Sequence, residues 1–296
     1  MNFKQTTVVI VMSLLGQQTV VSQNGLSSIS LGKIKIITIP KEGAQYVFNS
    51  PDGKYICYSS QDLNKVYIRN LAIKNSSNQL VFEATNAGYF PNWSADGKQL
   101  VFRTKDKKSE QKQIKTMVFS LENKTLTETP NPLPTDINSS ILLKNKLGDY
   151  LYINKKLELE KYNENTKQTT IFRGTEMCYQ PIISPSGDKV VLHIGPNIWV
   201  YDVNEKTEPI NLGVGLVSAW SPNGKYLLGF KEDKNDGHEM GNTDLYAFDV
   251  EAKKSIRLTF TKKTKEINPS WSFDGKGIYY VNFETGSILY TAVKYK

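Results

Sequence analysis

The stretch Asn268-Pro269-Ser270-Trp271-Ser272-Phe273-Asp274-Gly275-Lys276 decides the fold, because worn copies of it recur along the whole chain. An Asp-Gly pair follows a serine and precedes the apolar run Ile278-Tyr279-Tyr280-Val281, which is the chemistry of a tight hairpin turn. Glycine takes the left-handed backbone without a Cβ clash, and the Ser and Asp side chains cap the turn amides. Aligned on the glycine, the copies are Ser50-Pro51-Asp52-Gly53-Lys54, Ser94-Ala95-Asp96-Gly97-Lys98, Ser184-Pro185-Ser186-Gly187-Asp188 and Ser221-Pro222-Asn223-Gly224-Lys225. Each leads into a strand-like run. The register also holds upstream, with Pro91, Pro181 and Pro269 six residues before their glycine and Trp93, Trp220 and Trp271 four before it.

The interval from Gly97 to Gly187 is twice as long as the others and predicts a sixth copy at Lys144-Asn145-Lys146-Leu147-Gly148-Asp149, where only the glycine and the following strand survive. Short strands repeating every 40 to 50 residues or so are the signature of propeller blades. The expected fold is therefore all-β: a six-bladed β-propeller with four-stranded blades over residues 31–296. The last repeat has strands for only three places, and Lys33-Ile34-Lys35-Ile36-Ile37-Thr38-Ile39 stands spare before the first. Placing this N-terminal strand outside the sixth blade closes the ring and covers an edge.

Residues 1–22 read differently. Lys4 precedes the apolar Thr7–Gly16 run, too short to span a bilayer, and Val20-Val21-Ser22 resembles a cleavage site, so a secretory signal is expected there, followed by a short tether over 23–30. A periplasmic or secreted monomer with no transmembrane span in the mature chain follows as the expectation. No cysteine follows the apolar core, so a lipoprotein-type anchor is not expected. The two cysteines, Cys57 and Cys178, fall at different repeat positions and read as small buried side chains rather than a bridge. Net charge is +8, from lysines scattered through turns without an arginine-rich stripe or nucleic-acid motif. A solvated basic surface is expected, with no nucleic-acid partner.

The Asn-Pro-Ser-Trp-Ser-x-Asp-Gly-Lys pattern, preceded by Thr243-Asp244-Leu245-Tyr246-Ala247-Phe248-Asp249-Val250 and Ile256-Arg257-Leu258-Thr259, resembles the repeat of the TolB-type six-bladed β-propellers. That resemblance covers nearly all of the chain after residue 30. The namesake of that family is a periplasmic protein that binds envelope partners and carries an α/β domain ahead of its propeller, for which the eight or so residues of the tether leave no room. Related propellers precede serine peptidases or form polysaccharide lyases. The peptidase option lacks a Gly-x-Ser-x-Gly elbow. For the lyase option His193 and His238 fall short of the three or four ligands that a metal site needs unless Asp233, Asp236 or Glu239 joins them. No catalytic residue, metal ligand or cofactor is therefore assigned.

The primary expectation is a non-enzymatic propeller binding a protein partner or a small polar or glycan ligand at the mouth of its channel. A metal-assisted lyase or hydrolase at the same rim is the alternative. The loops entering each inner strand and following each second strand border that mouth, which makes Tyr89, Glu176, Tyr179 and Glu266, with Asp236 and His238, the candidate ligand-binding residues.

Overall fold

The computed structural model describes residues 29–94, 96–105, 114–129, 143–144, 149–154, 156–163, 165–173, 177–233, 241–262 and 264–295. They form twenty-four strands and six four-stranded antiparallel sheets. In chain order, β1 is Ile29–Thr38 and the first blade is β2 (Ala44–Asn49), β3 (Tyr55–Ser60), β4 (Lys65–Asn70) and β5 (Gln79–Glu83). The second is β6 (Asn92–Trp93), β7 (Gln99–Lys105), β8 (Ile114–Ser120) and β9 (Leu126–Thr129). The third is β10 (Leu143–Lys144), β11 (Asp149–Ile153), β12 (Leu159–Asn163) and β13 (Gln168–Arg173), so the worn copy does build a blade, though its turn at 145–148 lies outside the described residues. The fourth is β14 (Cys178–Ile183), β15 (Lys189–Ile194), β16 (Asn197–Asp202) and β17 (Ile210–Val214). The fifth is β18 (Leu216–Trp220), β19 (Tyr226–Glu232), β20 (Thr243–Asp249) and β21 (Lys254–Arg257). The sixth is β22 (Glu266–Trp271), β23 (Gly277–Asn282) and β24 (Ser287–Tyr295), with β1 as its outer strand.

The closure expected from the spare strand is therefore present. β1 starts at Ile29, two residues earlier than the sequence pattern placed the propeller, because Ile29, Ser30 and Leu31 pair with Tyr295, Lys294 and Val293. Ile29 is buried and Leu31 and Ile37 pack on the same apolar cluster as Ile278, Tyr280 and Ile288.

The repeated turn explains itself in hydrogen bonds. In five blades the glycine amide donates to the serine carbonyl three residues back, at 2.8–2.9 Å. The serine Oγ accepts the amide five residues ahead, as from Tyr55, Gln99, Lys189, Tyr226 and Gly277. The same hydroxyls donate to Asp52, Asp96, Asn223 and Asp274, whose Oδ1 accepts the lysine amide. These bonds hold the Asp52, Asp96 and Asp274 carboxyls below the usual range. The glycines sit at φ near +70°, and a Cβ on Gly97, Gly224 or Gly275 would meet Pro51, Pro185 or Pro222 of the preceding turn. At the ring junction Phe273 replaces that proline, and its ring lies against Gly53.

In two blades the repeated tryptophan ties the inner strand to the blade before it. Trp93 Nε1 donates to Phe48 O at 3.2 Å and Trp220 Nε1 to Ile182 O at 3.0 Å, whereas the buried Trp271 Nε1 has no partner. Replacing Trp220 by Phe is therefore expected to cost about 1 kcal/mol more than replacing Trp271 by Phe, since only the first removes a made hydrogen bond. Urea midpoints of the two variants measure the difference, and equal costs would contradict the assigned role. Cys57 and Cys178 are free, buried and in separate apolar clusters, as their spacing predicts.

Candidate functional site

Because every blade runs inner to outer, the connections from a fourth strand to the next first strand share one end of the ring with those from second to third strands. The Ser-Asp-Gly turns occupy the opposite end. Tyr89, Tyr179 and Glu266 all lie at the first end. Glu176, Asp236 and His238 lie outside the described residues. The three that are described do not form one pocket; each is held in a different seam.

Tyr89 is half-buried against Tyr46 and Phe90, with ring centroids 6.1 and 5.4 Å away. Tyr46 and Phe90 sit 4.5 Å apart, are buried, and belong to one apolar cluster with Leu151 and Ile153 of the third blade and Cys178 and Leu192 of the fourth. In this sector the inner-strand rings pack on one another rather than face an open channel. Burial pushes the Tyr89 phenol up.

Phe90, Gln180 and Asn268 hold positive φ of 52°, 52° and 47° immediately before Pro91, Pro181 and Pro269. At Gln180 and Asn268 this strain is offset by links between neighbouring blades. Gln180 Nε2 donates to Val217 O, Ser218 Oγ to Pro269 O, and Asn268 Nδ2 to Gln45 O, at 3.1, 2.6 and 2.8 Å.

Tyr179 is 40% exposed, its ring stacked at 5.1 Å on His193 and its hydroxyl donating to Gly195 O at 2.9 Å. His193 itself is wholly buried, not at the rim that its strand-end position suggested. The apolar run Val190-Val191-Leu192-His193-Ile194 carries it into the seam, where Nε2 accepts the Val217 amide at 3.0 Å. Accepting there places the ring proton on Nδ1, and burial pushes the pKa down to about 4.

Glu266, 2% exposed, opens β22 beside the fifth blade, where its carbonyl accepts Thr243 Oγ1 at 2.7 Å. Burial raises its carboxyl to about 7, with the Asp244 charge adding to the rise and the Thr259 hydroxyl opposing it; Oε2 has no partner. Asp244 is fully buried and saturated: Oδ2 binds Arg257, while Oδ1 accepts the Thr261 amide and the hydroxyls of Thr259 and Thr261. Sequence reasoning quoted the Thr-Asp-Leu-Tyr and Arg-Leu-Thr segments as a repeat signature but did not see that they pair around one another. At the repeat position of Glu266 the other described blades carry Ala44, Gly88, Cys178 and Gly215, so the fold asks only for a small residue there. The Glu266 acid is sealed from solutes, and general acid chemistry needs contact with a substrate.

Among the described residues, charged side chains such as Lys41, Glu42, Asp62 and Glu284 reach solvent at this end, and so do several large apolar ones. Ile39, Met177, Tyr179, Val214 and Phe260 are exposed at or beside four of the six rim connections, Met177 by 70% and Phe260 by 73%. The Arg257 guanidinium lies 5.0 Å from the Phe260 ring centroid, so that exposed ring is held against a cation. Among the described residues no group of three or more His, Cys, Asp or Glu side chains is placed to hold a metal, and no helix is long and apolar enough to cross a membrane.

These features define a six-bladed β-propeller with exposed apolar side chains on the described part of one rim. The chain is similar in fold to TolB from Acinetobacter baumannii (14% identity, TM-score 0.55, 87% of this chain and 65% of that one) and to a putative TolB from Agrobacterium tumefaciens (19%, 0.56, 87% and 91%). It thus spans less than two thirds of the Acinetobacter protein. An oligogalacturonate lyase in complex with manganese is similar as well (17%, 0.53, 85% and 77%). No family model and no curated protein matches the sequence. The architecture is that of the TolB-type propellers.

Proposed function

We propose that this chain is an exported, monomeric propeller that acts by binding, presenting its rim to a protein partner or to a small polar or glycan ligand. Residues 1–22 are its secretory signal in this reading, and the periplasm or the exterior its location. The observation that carries it is the set of exposed apolar side chains at the rim, Ile39, Met177, Tyr179, Val214 and Phe260, the last held against Arg257, which can serve as contact anchors. Tyr179 is held in place by the His193 ring behind it and by its hydroxyl's bond to Gly195.

The test is capture of envelope proteins and of arrayed glycans by wild type and by the Met177→Ala/Tyr179→Ala/Phe260→Ala variant. Binding that falls at least tenfold in the variant, with unchanged melting, supports the rim. Binding that survives the triple change, or none by wild type, sinks the reading.

The likeness to the lyase that was crystallised with manganese favours a second reading, metal-assisted cleavage of a polysaccharide at the same rim. His193 does not serve it, because its Nε2 is committed to the Val217 amide inside the seam. Release of unsaturated sugar by purified protein and manganese would decide for the enzyme.

A further inference from the structure

The outer strands of blades one to five are four to six residues long, whereas β1, the outer strand of the sixth, has ten. Short outer strands are a common protection against edge pairing, and here one edge lacks it. Residues Lys33, Ile34, Lys35 and Ile36 are exposed; in the regular stretch Ile34 and Ile36 face one side of the sheet and Lys35 the other, with Lys33 beside it in the bulge. From Ile34 to Ile36 the pairing with β24 is regular, between register shifts on either side. The end of the strand touches the next blade, where Thr38 meets Asn78 at 3.1–3.5 Å and the outer-strand residue Leu80 is exposed.

We propose that β1 is a strand-addition site that takes an extended peptide from another protein, with acidic residues facing Lys33 and Lys35 and aliphatic ones over Ile34 and Ile36. Main-chain hydrogen bonds to this edge, which no other described strand pairs, supply affinity, and the alternating side chains supply selection. The charges choose among occupants. A second copy paired antiparallel through β1 would bring its own Lys33 and Lys35 alongside these lysines, and like charges across strands repel. An acidic strand turns the same lysines into attraction. The site lies on the ring's flank, so it stands or falls separately from binding at the rim.

The probe is an acetylated, amidated nonapeptide of alternating Glu and Val, titrated against the full chain by fluorescence anisotropy. Saturable binding is expected, at least tenfold weaker for Lys33→Glu/Lys35→Glu and for a peptide N-methylated on alternate residues. The double variant leaves the β1–β24 hydrogen bonds in place, so unchanged melting separates lost binding from lost folding. Equal binding of a Lys-Val alternating peptide or of the N-methylated one would overturn the proposal. So would dimerisation at micromolar concentration that Ile36→Lys abolishes, or capture by phosphatidylglycerol vesicles with no peptide binding.

Discussion

A chain that starts at Ile39 is expected to lose cooperative folding, while one in which residues 29–38 are moved to the other end is expected to melt within a few degrees of wild type. Removing β1 takes Ile29, Leu31 and Ile37 from the cluster they share with Ile278, Tyr280 and Ile288. At about 1.5–3 kcal/mol for each buried aliphatic side chain, the loss is of order 5 kcal/mol, comparable with the stability of a whole domain. It also strips the outer pairing from seven residues of β24, which then pairs only with β23, and leaves the sixth blade with a bare edge.

The rescue follows from the register. Ile29 pairs with Tyr295 in an antiparallel ladder, so a two-residue Asn-Gly turn joining Tyr295 to Ile29 converts the closing pair into a hairpin. Thermal melts and size-exclusion profiles of the truncated and rearranged chains check both halves. A truncated chain that melts like wild type would mean that β1 does not lock the ring, and a rearranged chain that fails to fold would contradict the register.

What was legible in the sequence was local chemistry repeated. The Ser-Asp-Gly-Lys turn declares itself because its hydrogen bonds join residues no more than five apart. The tryptophan register pointed to blade packing, and the Nε1 bonds of Trp93 and Trp220 give that packing a partner. The spare strand found its place by counting. The seams were not legible, because the groups that meet there come from different strands or blades. Asp244 and Arg257 are thirteen residues apart on adjacent strands, and His193 reaches Val217 across a blade boundary. The apolar neighbours of His193 in its strand were the one signal that it would be buried rather than face a ligand. Phe273 in the proline position of its turn was a departure whose meaning, contact with Gly53 at the ring junction, needed the coordinates.

His193 and Glu266 lead to the second large effect, which is hidden in wild type. His193 is neutral in the fold down to about pH 4 against an ordinary value of 6.5, so over that interval the unfolded chain binds the extra proton. Its contribution is therefore complete above pH 6.5 and is lost as pH falls toward 4. Glu266 keeps its proton up to about pH 7 against an ordinary value of 4.5, so its contribution is complete below 4.5 and is lost as pH rises toward 7. The two slopes oppose each other from pH 4.5 to 6.5, where each full proton difference is worth about 1.4 kcal/mol per pH unit. Wild-type stability is expected to be nearly flat across this window. Glu266→Gln leaves the histidine alone, and stability should then climb by roughly 2 kcal/mol from pH 4.5 to 6.5. His193→Gln, which still offers an acceptor to the Val217 amide, should reverse the sign and fall by a similar amount. The carboxylates Asp52, Asp62, Asp96, Asp188 and Asp274, all lowered from 3.8, act below the window, and Glu42, lowered from 4.5, adds at its lower edge equally in all three proteins, so the differences between profiles carry the test. Urea unfolding at half-unit pH steps reads the three slopes, and parallel profiles for wild type and both variants would refute the opposed titrations.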